Sequence, residues 1–206
     1  GITPFDPEVA KNALPSLGGT PVVRYFADRF YGGYRPLRDR VRAGLDWLAR
    51  HQDDDGRWDC DGFMKHDSAS DRSDGGGRPA YDVGATGLAL LAFLGDGNTL
   101  RSGEHRDVVK RAVAWLRKQQ QGDGRFGEPS APDWIYGHAI ATCAMLEAYE
   151  MSSMKLLKPS SRRGVKYLQS HRADGGVWRY AAGDPRGDLS VTGWAALAMK
   201  GAEDAW

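Results

Sequence analysis

Cysteine is scarce: Cys60 and Cys143 are the two present in 206 residues. They share no CxxC spacing, so neither a disulfide framework nor a zinc knuckle is indicated, and a reducing compartment is the default. No apolar run approaches about 18 residues, which excludes a helical span of the bilayer by this chain. Neither charge sign dominates. Lys and Arg total 28 against 27 Asp and Glu, a net of +1, which leaves no footprint for nucleic acid or acidic lipid. The start, Gly1-Ile2-Thr3-Pro4, lacks a signal-peptide pattern. The Gly-rich stretches contain no GxxxxGK run and follow no strand, so a phosphate cradle is unsupported. A soluble domain remains, 41% hydrophobic and 27% charged, whose localisation composition leaves unknown.

What the chain does have is internal repetition. Gly44-Leu45-Asp46-Trp47-Leu48 is followed by Gln52 and by Gly56-Arg57-Trp58. Ala112-Val113-Ala114-Trp115-Leu116 is followed by Gln120 and Gly124-Arg125-Phe126. Gly164-Val165-Lys166-Tyr167-Leu168 is followed by Arg172 and Gly176-Val177-Trp178. Each segment ends an amphipathic stripe at i, i+4, i+7: Val41, Leu45 and Leu48; Val109, Val113 and Leu116; Ser161, Val165 and Leu168. Such stripes predict helices with one apolar face, stopped by the glycines that follow. A second helix then contains Thr86-Gly87-Leu88-Ala89-Leu90-Leu91, Thr142-Cys143-Ala144-Met145-Leu146 or Thr192-Gly193-Trp194-Ala195-Ala196-Leu197. Being nearly free of charge, these predict a buried inner layer beneath an outer layer of amphipathic helices.

The reading is therefore all-α: an array of three helical hairpins at about 41–95, 108–150 and 160–200, within a repeat domain at 41–206 behind an N-terminal extension at 1–40. Within the extension, Glu8 to Leu14 and Val22 to Tyr31 are expected to form short helices, with Phe26 and Phe30 as apolar contacts. The first repeat carries an insertion within Asp61 to Arg78 whose Ser, Asp and Gly content predicts a mobile loop.

Gln52…Gly56-Arg57-Trp58 and Gln120…Gly124-Arg125-Phe126 resemble the glutamine-tryptophan repeat of squalene cyclases and related proteins. The chain thus resembles the terpenoid-cyclase and protein-prenyltransferase superfamily, whose fold is an α/α toroid of inner and outer helices. Tyr81-Asp82-Val83-Gly84-Ala85-Thr86 and Tyr136-Gly137-His138-Ala139-Ile140-Ala141-Thr142 look like the prenyltransferase and squalene-oxidase repeat domains of bacterial proteins of unclear function. The resemblance implies a structural role for Gln52, Gly56, Trp58, Gln120, Gly124, Phe126, Gly176 and Trp178. It also implies an incomplete ring, since three hairpins are fewer than the toroid uses; the chain reads as part of a larger ring or as a half that pairs with another. The third repeat departs from the pattern at Arg172.

The same resemblance bears on chemistry. A class II cyclase has its acid in an Asp-x-Asp-Asp-Thr run. Here the donor position is Gly84, Ile140 or Ser190, and none protonates an alkene. A prenyltransferase holds zinc through Asp, Cys and His. Asp82 and His138 match two ligands, but Gly84 replaces the cysteine, so no cofactor is favoured and zinc is the alternative. Independently of the family, Asp82, His138 and Asp188 each precede the repeat threonine by four residues. They are the catalytic candidates, with Tyr81, Trp134, Tyr136 and Trp194 as ligand-binding candidates around them. Helix N-capping is the competing and preferred account of the two aspartates. Asp53-Asp54-Asp55 reads as a solvated turn, Asp59 and Asp61 as loop residues, Trp47 and Trp115 as packing residues, and His51 and His171 as helix C-terminal caps.

Function is expected to be a ligand- or partner-binding module without the cyclase acid, and not an enzyme in this chain alone. Its partner would be an apolar isoprenoid-like ligand, or another protein or domain completing the ring. One alternative is an isoprenoid-processing enzyme completed by missing repeats. Another is a carbohydrate-active enzyme, for which Asp82 and Asp188 are the carboxylate pair to measure.

Overall fold

The computed structural model describes residues 35–70 and 72–206. Much of the predicted extension, including the two short helices expected at Glu8 to Leu14 and Val22 to Tyr31, lies outside the described residues. Within them are six α-helices and no strands: α1 (Arg35–Arg50), α2 (Asp82–Gly95), α3 (Arg106–Gln119), α4 (Ile135–Ser152), α5 (Lys158–His171) and α6 (Leu189–Ala205). The protein is an all-α array. None of these helices is long and apolar enough to cross a membrane.

Helices α2, α4 and α6 form the inner layer and pack in series, while α1, α3 and α5 lie outside. Small residues permit the close inner contacts. The Gly84 and Gly137 backbones meet so tightly that a Cβ on Gly84 would sit 3.3 Å from Gly137 Cα, and a Cβ on Gly87 would sit 3.1 Å from the Ala141 nitrogen. Leu90, Phe93, Val109, Leu116, Ala141, Ala144 and Ala148 are fully buried in one core. Burial of a Leu or Phe of this kind contributes about 2–3 kcal/mol.

Contact strength does not follow the sequence repeat. Helix α3 packs chiefly on α2, the inner helix before it, and only slightly on α4; α5 likewise packs on α4 more than on α6. Two of the inner helices therefore each fill the groove formed by the next outer and inner helices. Helix α2 lies between α3 and α4, and α4 lies between α5 and α6.

The outer helices stop before the glycines expected to end them. Gly56, Gly124 and Gly176 have φ of 103°, 100° and 80°, but each closes a tight turn a few residues later. Gly56 N–H donates to Asp53 O, Gly124 N–H to Gln121 O and Gly176 N–H to Ala173 O. The residue between helix and turn is Gln52, Gln120 or Arg172. Gln52 Nε2 donates to Gly56 O and to Val108 O in the first turn of α3, both at 3.0 Å. Gln120 Nε2 repeats this on Gly124 O at 3.0 Å and Ser160 O at 2.9 Å. The glutamine thus ties its own turn to the next outer helix, rather than capping the helix it follows. In the third repeat, Arg172 instead lies over the Trp178 ring, 5.6 Å from its centroid. Trp58 and Trp178 cap the preceding helices, donating Nε1–H to Leu48 O at 2.8 Å and Leu168 O at 2.7 Å.

The insertion, expected to be a mobile loop, is tied at several points among its described residues. A short turn, Phe63–His66, places Lys65 and His66 on Asp53, each at 2.7 Å. Asp67 accepts from the Ser73 N–H and hydroxyl and faces His51 Nε2 at 3.0 Å. Charge complementarity with buried Asp53, which a composition count does not register, is the physical reason.

Candidate functional site

The three residues that share a register position take three different roles. Asp82 is the first residue of α2 and makes no cap. Its carboxylate is buried, accepting from Cys60 N–H at 2.9 Å and Arg57 Nη1 at 3.2 Å. Asp188 is a true N-cap of α6: one oxygen accepts from the Ser190 and Val191 N–H groups, both at 3.0 Å. The Val191 N–H, the Ser190 hydroxyl and the Tyr136 and Tyr180 hydroxyls hold the Asp188 carboxyl at about 2.

His138 is fully buried on α4. Its Nδ1 accepts the Phe126 N–H at 2.9 Å, which leaves the ring proton on Nε2. In the first and third repeats the same backbone donor goes to a threonine: Trp58 N–H to Thr86 Oγ1 and Trp178 N–H to Thr192 Oγ1, both at 3.0 Å. Thr142 instead turns back to His138 O at 2.8 Å. The ring packs against Trp134 and Tyr167, which in turn contact His171, and Nε2 is buried without a hydrogen bond among the described residues. Burial depresses the imidazole to about 3, opposed by the Gly164 backbone and assisted by His171. His138 is a neutral core residue.

These surroundings do not converge. The acidic group that does assemble is Asp59, Asp61 and Asp82, with oxygens within 4.8 Å of one another; neither His138 nor Asp188 belongs to it. Arg57 reaches Asp53, Asp59 and Asp82, and Lys65 reaches Asp53 and Asp59. The Lys65 bond brings Asp59 down to about 2. Asp82 moves the other way: burial raises it, and the Cys60 N–H and the shared Arg57 only partly compensate. Burial and the Asp82 charge push the Cys60 thiol to about 12, so it is no nucleophile. The cluster is an ion-pair network in which Arg57 and Lys65 offset part of the charge of Asp53, Asp59 and Asp82.

The aromatic candidates are likewise dispersed. Tyr81 donates to Asp133 at 3.2 Å and Tyr136 to Asp188 at 3.0 Å. Trp194 packs in the core between α4 and α6, its backbone oxygen accepting from Cys143. Trp134 shares a cleft of about 240 Å3 with Asp82 and Arg57.

The larger cleft, about 480 Å3, is elsewhere and predominantly apolar. It lies between α1 and α2 and is lined by Trp47, Leu48, Trp58, Phe63, Ala85 and Leu88 among others. The register explains it. Trp47, Leu48, Ala85, Leu88 and Ala92 correspond to Trp115, Leu116, Ala141, Ala144 and Ala148, which form the groove that α2 fills one repeat later. In the first repeat no described helix takes that place. Val41 is accordingly 37% exposed where Val109 is 0%, and Leu88 is 47% exposed where Ala144 is 0%. Trp47 had been read from sequence only as packing, and Leu88 as part of a buried helix. The signal that would have found them is Leu88 standing where the filled groove has alanine.

A further polar group marks the opposite end of the inner layer. Glu150 on α4 has a buried Oε1 without a hydrogen bond among the described residues. Burial lifts its carboxyl to about 7, with Glu147 and Asp204 adding to the rise and Lys200 opposing it.

Comparison with known proteins agrees with this geometry. The squalene–hopene cyclase of Bradyrhizobium diazoefficiens is 30% identical over 203 residues, and a probable squalene–hopene cyclase of Sinorhizobium fredii is 26% identical over 200. The chain is terpenoid-cyclase-like. The match takes in 93% of this chain but 29% of either relative, so the chain spans under a third of their length. No protein-family model matches it, and no solved structure does. The terpenoid-cyclase-like array thus joins distant sequence similarity to a helical order that the repeats had already implied.

Proposed function

We propose that this terpenoid-cyclase-like repeat domain is a binding module, of the prenyltransferase and squalene-oxidase repeat type, whose working element is the α1–α2 groove. The observation that carries this reading is the occupied counterpart: the equivalent groove between α3 and α4 holds an apolar helix, α2, whose one charged residue is Asp82 at its first position. An apolar helix of a partner protein or ring-completing domain suits the one that no described helix fills. The presence of Gly84, Ile140 and Ser190 at the donor positions supports a role without cyclase acid chemistry, and the reading requires no zinc.

The similarity to two squalene–hopene cyclases, with the apolar lining, favours a second reading, in which the cleft accepts a linear isoprenoid or contributes to an isoprenoid-processing site completed by further repeats. A carbohydrate-active site draws no support, because the Asp82 and Asp188 carboxylates are engaged by Arg57 and by the α6 backbone. Calorimetric titration separates the first two. A soluble helical peptide presenting the α2 face of Val83, Gly87, Leu90 and Leu91 is expected to bind with Kd on the order of 10 μM, weakened at least tenfold by Leu88→Asp. Saturable binding of squalene from cyclodextrin without peptide binding would replace the first reading with the second. Binding of neither overturns both.

A further inference from the structure

We infer that the α1–α2 groove receives α6 of a second copy of this chain, so that copies associate head to tail. This rests on the groove reading above and names its partner.

Both required surfaces are present on one molecule. The face by which α2 sits between α3 and α4 carries Val83, Gly84, Gly87, Leu90 and Leu91. Its counterparts on α6 are Leu189, Ser190, Gly193, Ala196 and Leu197. On α2 these positions are buried or half-buried; on α6 they are largely open, with Leu189 93% and Leu197 60% exposed. Helix α6 therefore displays an inner-helix face with no outer helix laid over it among the described residues. Helices α1 and α2 display the complementary groove with no inner helix in it among the described residues. Gly193 stands where Gly87 admits Ala141 of the next inner helix, and Ala85 of the neighbouring copy, the counterpart of Ala141, would meet it.

Charge and size are consistent with the fit. The five α6 positions are uncharged, matching an apolar lining. Helix α6 has 17 residues and α1 has 16, about 25 Å of matching length at 1.5 Å per residue. Seating one such helix in a two-helix groove buries on the order of 1,000–1,500 Å2 in total, enough for a specific interface. The contact joins two different faces, so it closes into a ring or propagates as an open assembly.

The test is complementation between blocked copies, read by sedimentation velocity on the full chain. Leu88→Asp blocks the groove and leaves α6 intact; Leu197→Asp blocks α6 and leaves the groove intact. Both positions are open to solvent, and circular dichroism checks each fold. Wild type is expected to gain mass with concentration, each variant alone to remain monomeric, and an equimolar mixture to give a dimer and nothing larger. A monomeric mixture overturns the proposal, as does self-association of either variant alone. Wild type that stays monomeric at every concentration also overturns it, whether residues 1–34 or nothing at all fills the groove. If the helical peptide still binds wild type while the mixture stays monomeric, head-to-tail pairing fails and the groove reading stands; if the peptide does not bind, the groove reading itself has failed.

Discussion

The first and second repeats contain the same groove, filled by a helix in the second and, among the described residues, by none in the first. The stripe on α3 is sealed, whereas the matching stripe on α1 is partly open, with Val41 exposed and Val109 buried. The chemistry of the stripes is alike, so the difference lies in the neighbour. An amphipathic stripe states that a surface is to be covered and leaves open what covers it.

The contrast is broken most sharply by placing the same charge in both grooves. Ala144→Asp puts a carboxylate into the filled one and is expected to cost roughly 4 kcal/mol or prevent folding, whereas Leu88→Asp in the open one should cost under about 0.5 kcal/mol in the monomer. Urea unfolding of both variants measures this, and equal losses would remove the distinction.

Acid is the next lever, because only the second repeat uses an imidazole for the N–H that the others give to threonine. Burial holds the folded His138 imidazole at about 3, below its ordinary value of 6.5. The unfolded chain therefore binds the proton first as pH falls below 6.5, and stability declines from there toward 3. By about pH 4 the loss attributable to this ring is roughly 3 kcal/mol. In His138→Asn, stability followed against pH should lack that part of the acid limb; an unchanged limb would show that other groups produce it.

Smaller effects follow at the ties between repeats. Gln52→Ala and Gln120→Ala each remove two donated bonds to buried backbone and should cost about 2 kcal/mol, while Arg172→Gln should stay within about 0.5 kcal/mol, all read by thermal unfolding. Glu150 gives a smaller change than the two glutamines, and of the opposite sign. Its carboxyl is raised from 4.5 to about 7, so stability falls as pH climbs through that window and remains lowered above it. Glu150→Gln should recover about 1 kcal/mol above pH 7 once screening is allowed for, and no recovery would mean the carboxylate finds its own compensation.

Helix types, their layer assignment and the matching of Gln52 with Gln120 were legible in the sequence, because each depends on local periodicity or on a residue at a fixed offset. The grouping of Asp82 was not. Its register partners are His138 and Asp188, but its physical partners are Asp59, Asp61 and Arg57, which the insertion folds back upon it. Capping was legible for Asp188, whose preceding backbone is extended, and failed for Asp82, which is already helical. The pairing of α3 with α2 was hidden for a simpler reason: sequence shows which helices are consecutive, whereas packing is decided by which faces are apolar and small enough to meet.

The turn glycines have one more consequence. A Cβ on Gly56 would lie 2.3 Å from Arg111 O, and one on Gly124 would lie 2.4 Å from Arg163 O. At both junctions the main chain of one repeat therefore rests on the main chain of the next, with no side chain acting as a spacer. The pitch of the array is thereby set by peptide geometry, and the outer surfaces are free to change composition without altering how steeply the array bends.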